Sequence, residues 1–262
     1  RAIQDDPSSF DDEKIEARLH STLGAIYGMR GAYARAHEHF EHSLQLRAAV
    51  DDLPGMAVSH NNLGYLWQLQ SEYARAIEHY VIAEDLAKQI NLRYLIAFAA
   101  GNAAYALISL GQYDQAEARC NETLAIVTQL NAQSDIAQTY NTLGIIFYHK
   151  GLYERALAAF DQALQMNQRL GSTYQEANTL MHLAMNLVAL ERLNDARSTI
   201  DAALERAEHL HSQGLRVESL NVLAEIELAM GRHDLAYRWA SEAVELGQQI
   251  GSKRNMAIAQ RL

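Results

Sequence analysis

The sequence predicts an all-α protein assembled from stacked antiparallel helix pairs. Proline occurs only twice in 262 residues, against a usual share of about 5 %, and a sheet protein needs more turn residues. Small residues recur every forty residues, and the apolar residues between them follow helical spacing. The most regular column is Ala36, Ala76, Ala116, Ala156, Ala196 and Ala236. Because one helix pair cannot bury its apolar face alone, we predict a right-handed superhelical solenoid of stacked pairs.

Each unit of forty residues is predicted to contain a first helix, A, and a second helix, B. In the second unit the apolar stripe of helix A is His60, Leu63, Gly64 and Trp67, and that of helix B is Ala76, Tyr80 and Ala83. We expect helix A near residues 14–30 and helix B near 33–50, recurring every forty residues. Residues 13–252 then hold six units. Residues 1–12 form an acidic lead-in, and residues 253–262 begin a truncated seventh helix.

Glycine recurs inside helix A at Gly24, Gly64 and Gly144, although it costs about 1 kcal/mol there relative to alanine. We therefore expect helices A and B to cross closely at these positions, with the alanine column on the other side of the contact. Turns inside the units are predicted at Gly31, Ser71, Gly111, Gly151, Glu191 and Gly231. Turns between the units are predicted at Pro54 and Gly55, Asn91, Asn131, Gly171, Gly214 and Gly251.

Composition excludes several functional classes. The net charge is −10 and no cluster of lysine and arginine occurs, so we expect no nucleic-acid partner. No apolar run approaches the roughly 18 residues of a membrane span, and the first residues do not resemble a signal peptide. The single cysteine, Cys120, favours a cytoplasmic location. Because the sequence starts at Arg1 and ends inside an apparent helix, we expect it to be part of a longer protein.

No catalytic motif is present. The sequence lacks a phosphate-binding loop, a dinucleotide-binding glycine pattern and a serine nucleophile elbow, so we expect no enzyme and no cofactor. In the histidine-rich run 37–42, His39 and His42 lie on one helix face, but solvated side chains are the favoured interpretation and no metal site is expected. Cys120 falls in a bulky core column and is interpreted as a buried structural thiol. The acidic residues Asp5, Asp6, Asp11, Asp12 and Glu13 are interpreted as a solvated lead-in with a charge bias at the helix start.

The columns resemble the tetratricopeptide repeat (TPR) over residues 13–252. The fourth unit matches the repeat most completely, with Tyr140, Leu143, Gly144, Phe147, Gly151, Tyr153, Ala156, Phe160 and Ala163. Two features depart from the family pattern: the period is forty rather than about 34 residues, and no proline closes helix B. Arrays with forty-residue units are similar to those of kinesin light chains, cell-polarity adaptors and bacterial regulators such as maltose-type activators and multidomain ATPases. The resemblance implies that helix A lines a concave groove that binds a peptide or a protein.

The positions beside the core stripe of helix A are therefore the candidate groove residues. They are Val58, Asn61, Tyr65, Gln68, Phe98, Tyr105, Gln138, Asn141, Ile145, Tyr148, Asn178, Met181, Met185 and Asn221. Asparagine amides can pair with the backbone of an extended peptide, tyrosines add apolar area with a polar tip, and methionines adapt to different partners. The alternative is that these side chains only pack between neighbouring A helices. In the sixth unit the column turns acidic at Glu218 and Glu225, which suits a basic segment of a ligand.

One binding mode of the family is not expected. Some members hold a C-terminal carboxylate with a lysine and an asparagine of helix A. The matching lysine column here is Ser21, Asn61, Gly101, Asn141, Met181 and Asn221, and the matching asparagine column is Ala25, Tyr65, Tyr105, Ile145, Met185 and Glu225.

Three functions remain open at this stage. The leading hypothesis is a protein-interaction module in a larger regulatory protein, with a protein, a peptide or another domain of the same chain as its ligand. The second is a sensor segment that controls an attached ATPase, cyclase or DNA-binding domain. The third is self-association through the exposed ends, which leaves the oligomeric state open.

Overall fold

The computed structural model describes the backbone of residues 7–249 and the side chains of residues 12–249, and this part contains twelve helices and no strand. The helices are α1 (Pro7–Met29), α2 (Tyr33–Ala49), α3 (Leu53–Leu69), α4 (Tyr73–Gln89), α5 (Arg93–Ser109), α6 (Tyr113–Gln129), α7 (Gln133–His149), α8 (Tyr153–Leu170), α9 (Thr173–Ala189), α10 (Leu193–His209), α11 (Gln213–Ala229) and α12 (His233–Gln249). Odd-numbered helices are the A helices and even-numbered helices the B helices. The all-α prediction is confirmed.

The chain divides into two compact units. The first unit comprises residues 1–131 with α1 to α6, and the second comprises residues 132–262 with α7 to α12. Each unit contains three of the forty-residue helix pairs, which are called repeats from here on. Within each unit every helix packs against the next, and each A helix also packs against the following A helix. In the described residues of either unit, B helices contact A helices but not each other. Each unit is thus a stack of antiparallel pairs with an inner layer of A helices, as the sequence predicts.

Some helix boundaries differ from the predicted ones. Helix α1 begins at Pro7 rather than near residue 14, because proline fits the first helical turn, where its missing N–H needs no partner. Pro54 and Gly55 lie inside α3, and the Asp52 carboxylate caps that helix by accepting from the Gly55 N–H at 3.1 Å. Gly214 likewise lies inside α11. The predicted seventh helix and the turn at Gly251 lie outside the described residues.

The remaining turn predictions are confirmed by backbone angles. All six positions of the turn column inside the forty-residue repeats have positive φ. Asn91, Asn131 and Gly171, which lie between repeats, have positive φ as well. Ser71 and Glu191 adopt φ values of 64° and 59° without being glycine, a conformation that costs an L-residue roughly 1–2 kcal/mol. At the two mispredicted turns the left-handed residue is Asp51 or His211.

The mid-helix glycines face aromatic rings. A Cβ atom added at Gly24, Gly64 or Gly144 would lie 2.8, 2.6 or 2.5 Å from the ring of the aromatic residue sixteen positions later, respectively Phe40, Tyr80 and Phe160. The predicted close approach is confirmed, but its main partner is the bulky column of helix B rather than the alanine column. The reason is geometric, since ring carbons of helix B occupy the space that a side chain on the glycine would need.

Where helix A carries alanine in place of this glycine, helix B carries a smaller bulky residue. The combinations are Ala104 with Cys120, Ala184 with Ile200, and Ala224 with Ala240, and all six residues are buried. A methyl group on helix A thus accompanies a smaller side chain on helix B. Cys120 is a buried free thiol, as predicted. Burial raises its pKa to about 12, so the thiol stays protonated at neutral pH.

Two carboxylates are buried in the stacks with arginine partners. Glu84 accepts hydrogen bonds from Arg119 at 2.9 and 3.1 Å. Glu227 is fully buried, is bonded by Arg197 and lies 3.4 Å from an Arg232 guanidinium nitrogen. Burying a carboxylate is tolerated only with such partners, because desolvation of a lone charge costs several kcal/mol.

His182 on α9 makes the stability of the second unit depend on pH. Its ring stacks on Phe160 at 6.1 Å, and burial lowers its pKa to about 4. An unfolded chain binds this proton near pH 6.5 and the folded chain does not, so the stabilisation is complete above pH 6.5 and is lost as the pH falls towards 4. We expect the free energy of unfolding to fall by about 2 kcal/mol more between pH 7 and pH 5 than it does in a His182→Asn variant.

Urea unfolding of both proteins at the two pH values measures this difference. Asparagine is the matched replacement, because Asn62 and Asn102 hold the equivalent position in other repeats. If the free energy of unfolding fell equally in the two proteins, the prediction would be wrong, because His182 would then bind its proton as readily in the folded state as in the unfolded state.

Candidate functional site

The helix A surface of the first unit exposes aromatic side chains. Tyr65 of α3 is 50 % exposed, and Phe98 of α5 is exposed and stacks on Tyr94 with ring centroids 6.3 Å apart. Val58, Gln68 and Tyr105 are half-buried beside them. Exposed aromatic rings next to polar groups are typical of surfaces that bind peptides and proteins.

The helix A surface of the second unit is more polar. Gln138 is exposed, and Ile145, Tyr148, Asn178 and Met185 are half-buried, so all five reach the surface. Burial raises the pKa of Tyr148, and the neighbouring Glu225 raises it further. Burial also raises the pKa of Glu225. The acidic end of the predicted column therefore lies close to the tyrosine within this unit.

Four of the sequence-predicted residues are in the interior. Asn61, Asn141, Met181 and Asn221 are buried, with 4–6 % of each residue exposed. Asn61 instead accepts a hydrogen bond from Asn102 of α5 at 2.8 Å, which joins two A helices. For Asn61 this contact agrees with the alternative interpretation, packing between A helices. The pairing of the other amides with a peptide backbone stays a prediction.

A cationic cavity in the first unit was missed by the sequence analysis. It has a volume of about 410 Å³ and is lined by Lys14, Arg18, Arg47, Asp52, Pro54, Gly55, Val58 and Leu95. Arg47 is only 7 % exposed, and its guanidinium donates to the Gly55 carbonyl oxygen and, at 3.5 Å, to the Ser21 hydroxyl. These bonds hold the arginine head against the wall of the cavity.

The charges around this cavity do not cancel. Burial lowers the pKa of Arg47, while Asp52 raises it and Arg18 lowers it. Neither Lys14 nor Arg18 forms an ion pair with any residue between 12 and 249. Among the described residues that line the cavity, three cations and one carboxylate leave an excess of two positive charges, in a chain of net charge −10. The cavity therefore suits an anionic group such as a carboxylate.

Two signals in the sequence point to this cavity. Arg18 occupies the column of Val58 and Phe98, one repeat before the first candidate groove residue. Arg47 stands alone in a column whose other members are Ala87, Val127, Asn167, Ala207 and Gly247. Arg47 is the only charged residue in its column, and this difference from the other repeats indicates the site.

None of the helices in the described part of the chain is long and apolar enough to cross a membrane.

Comparison with known families identifies the repeats. The family model described as tetratricopeptide repeat matches residues 15–89 and 95–169, and a second model of the same description matches residues 182–249. No curated protein matches the chain in sequence.

Solved structures show the same fold at low sequence identity. The apo form of RapI has a TM-score of 0.71 at 14 % identity, with 94 % of each chain covered. NprR in complex with its cognate peptide NprX has a TM-score of 0.69 at 15 % identity, covering 90 % of this chain and 68 % of NprR. A signal transduction ATPase with a tetratricopeptide repeat sensor from Pyrococcus horikoshii has a TM-score of 0.71 at 11 % identity, covering 94 % of this chain and 39 % of the ATPase.

Proposed function

The chain belongs to the tetratricopeptide repeat family, and from this premise we propose that it is a non-catalytic module that binds an extended peptide segment of a protein partner. The observation that carries the proposal is the helix A surface of the first unit, where exposed Tyr65 and Phe98 lie on the same inner layer as the cationic cavity. Aromatic anchors supply apolar contact area, and the cavity adds charge complementarity for an acidic residue of the ligand.

The ligand that fits this surface is an extended peptide with at least one carboxylate. Val58 lines the cavity and is also a groove residue, so the apolar and the cationic parts of the surface are continuous within the first unit. The second unit has a polar surface of its own around Tyr148 and Met185. NprR, a structural neighbour, is known in complex with its cognate peptide, which supports peptide binding as the use of this fold.

Affinity capture with a matched set of variants tests the proposal. We expect the double variant Tyr65→Ala/Phe98→Ala to lose the partner, because truncating an aromatic anchor costs at least about 2 kcal/mol, or roughly thirtyfold in affinity. The variant Arg18→Glu is expected to weaken binding through the cavity alone. The control is Tyr237→Ala, which removes a tyrosine that is 78 % exposed on the B helix α12.

The captured protein is identified by mass spectrometry, and its acidic segments are then tested as labelled peptides by fluorescence polarisation. Retention of the partner by the double variant, or its equal loss from the Tyr237→Ala control, would contradict binding on the helix A surface. Circular dichroism of every variant checks that the helices are intact.

A sensor segment is the second candidate function. The Pyrococcus ATPase combines a sensor of this fold with an effector, and this chain corresponds to 39 % of it. In that role the ligand would bind to the same helix A surface and control a domain elsewhere in a longer protein. A cytoplasmic location accompanies both proposals.

A further inference from the structure

Three side chains of the kinds that bind metal ions lie close together at the start of the first unit. Glu16 and His20 lie one turn apart on α1, and His42 reaches them from α2. The Glu16 carboxylate oxygen is 3.9 Å from His20 Nε2 and 4.0 Å from His42 Nε2, and all three ligand atoms lie within 4.8 Å of one another. The two imidazole rings are 4.3 Å apart between centroids. Two histidines and a carboxylate form a ligand set that binds divalent transition metals.

A fourth residue orients one of these ligands. His39 Nδ1 is 2.9 Å from His20 Nδ1, and the His39 ring is stacked on Tyr27 with an interplanar angle of 5°. With His20 Nδ1 engaged by His39, the His20 Nε2 atom is directed towards Glu16. Metal-binding histidines are typically held in this way by a hydrogen bond on their second nitrogen, and losing that partner typically lowers metal affinity 10- to 100-fold.

Comparison with the second repeat shows which of these residues belong to the packing of the repeats and which are specific to the first repeat. It contains the same histidine pair, since His60 Nδ1 is 3.0 Å from His79 Nδ1. At the positions equivalent to Glu16 and His42, however, it carries Met56 and Ile82. The histidine pair therefore belongs to the packing of these two repeats, and the carboxylate and third imidazole are additions specific to the first. Among the described residues this is the one group with metal-ligand spacing.

We infer that Glu16, His20 and His42 form a binding site for a divalent transition metal such as Zn²⁺, which joins α1 to α2. In a tetrahedral zinc site the ligand atoms lie about 3.3 Å apart. The two distances from Glu16 to the histidine nitrogens must therefore shorten by about 0.6 Å, and the two histidine nitrogens, which lie within 4.8 Å of each other, must also approach. Side-chain rotation supplies this contraction, because Glu16 and His42 are exposed and His20 is partly exposed. The spacing of the histidines in the run 37–42 does not indicate this site, because two of its three ligands lie on α1.

Isothermal titration of the untagged 262-residue chain with Zn²⁺ tests the inference. We expect one equivalent to bind, at least 100-fold weaker binding in His42→Ala, and 10- to 100-fold weaker binding in His39→Ala. The matched control is His79→Ala, which removes an equivalent histidine from the second repeat and should leave the affinity within about twofold. Co²⁺ absorption in the visible region reports the coordination independently of the heat signal.

A second experiment introduces the metal ligands into the second repeat. The double variant Met56→Glu/Ile82→His rebuilds the ligand set in the second repeat, and we expect it to bind two equivalents of Zn²⁺. Binding by the parent that His42→Ala leaves unchanged, or that His79→Ala weakens equally, would mean an adventitious ion only and would overturn the inference. Absence of binding by the parent would overturn it as well. Neither result bears on peptide binding, which is tested separately by the variants Tyr65→Ala on α3 and Phe98→Ala on α5.

Discussion

Replacing Arg197 and Arg232 together with methionine is expected to destabilise the second unit by about 3–5 kcal/mol. Both arginines contact Glu227, which is fully buried on α11. Without them the carboxylate is left as an uncompensated buried charge, or must take up a proton at a similar cost. Urea unfolding followed by circular dichroism measures the loss.

A third substitution makes this prediction specific. Adding Glu227→Leu to the double variant is expected to restore most of the lost stability, because leucine stands at the equivalent positions Leu107 and Leu187. A buried ion pair replaced by a well-packed apolar group is often neutral or stabilising. If the triple variant were as unstable as the double variant, the arginines would contribute by packing rather than by charge compensation.

Gly144→Ala is expected to destabilise the second unit by up to about 3 kcal/mol, although the same change in an ordinary helix stabilises it by about 1 kcal/mol. The new Cβ would lie 2.5 Å from a ring carbon of Phe160, which is buried and has little room to move. Overpacking a core in this way typically costs about 1–3 kcal/mol, which outweighs the gain in helix propensity. Thermal or urea unfolding gives the sign directly.

Two companion variants distinguish overpacking from a general effect of the substitution. Gly101→Ala on α5 introduces a Cβ whose nearest neighbour outside its own helix is a Thr123 methyl group at 4.0 Å, and it should be neutral or stabilising by up to about 1 kcal/mol. Gly144→Ala combined with Phe160→Ile recreates the Ala184 and Ile200 combination of the fifth repeat, and we expect it to recover stability. A loss caused equally by Gly101→Ala would contradict the role of the aromatic ring.

Exposure within the predicted groove depends on contacts that helical periodicity does not contain. Asn61 and Tyr65 lie one turn apart on α3 and share its inner face, yet Asn61 is 6 % exposed and Tyr65 is 50 % exposed. Asn61 accepts a hydrogen bond from Asn102 of the neighbouring helix α5 at 2.8 Å, a contact that helical spacing on α3 does not show. The sequence therefore predicts which face of helix A is the candidate binding surface, and contacts with the neighbouring helix decide which residues of that face are exposed.

The helices, their forty-residue phase and most of the turns were determined by the sequence itself. These features follow from local chemistry repeated six times: apolar stripes at helical spacing, and residues that accept positive φ at the helix ends. The cationic head of Arg47 in its cavity, the two arginines on Glu227 and the meeting of Glu16 with His42 were decided only by the tertiary structure. Each of these joins side chains from different helices, and a repeat period shows which positions are equivalent but not which side chains on neighbouring helices meet.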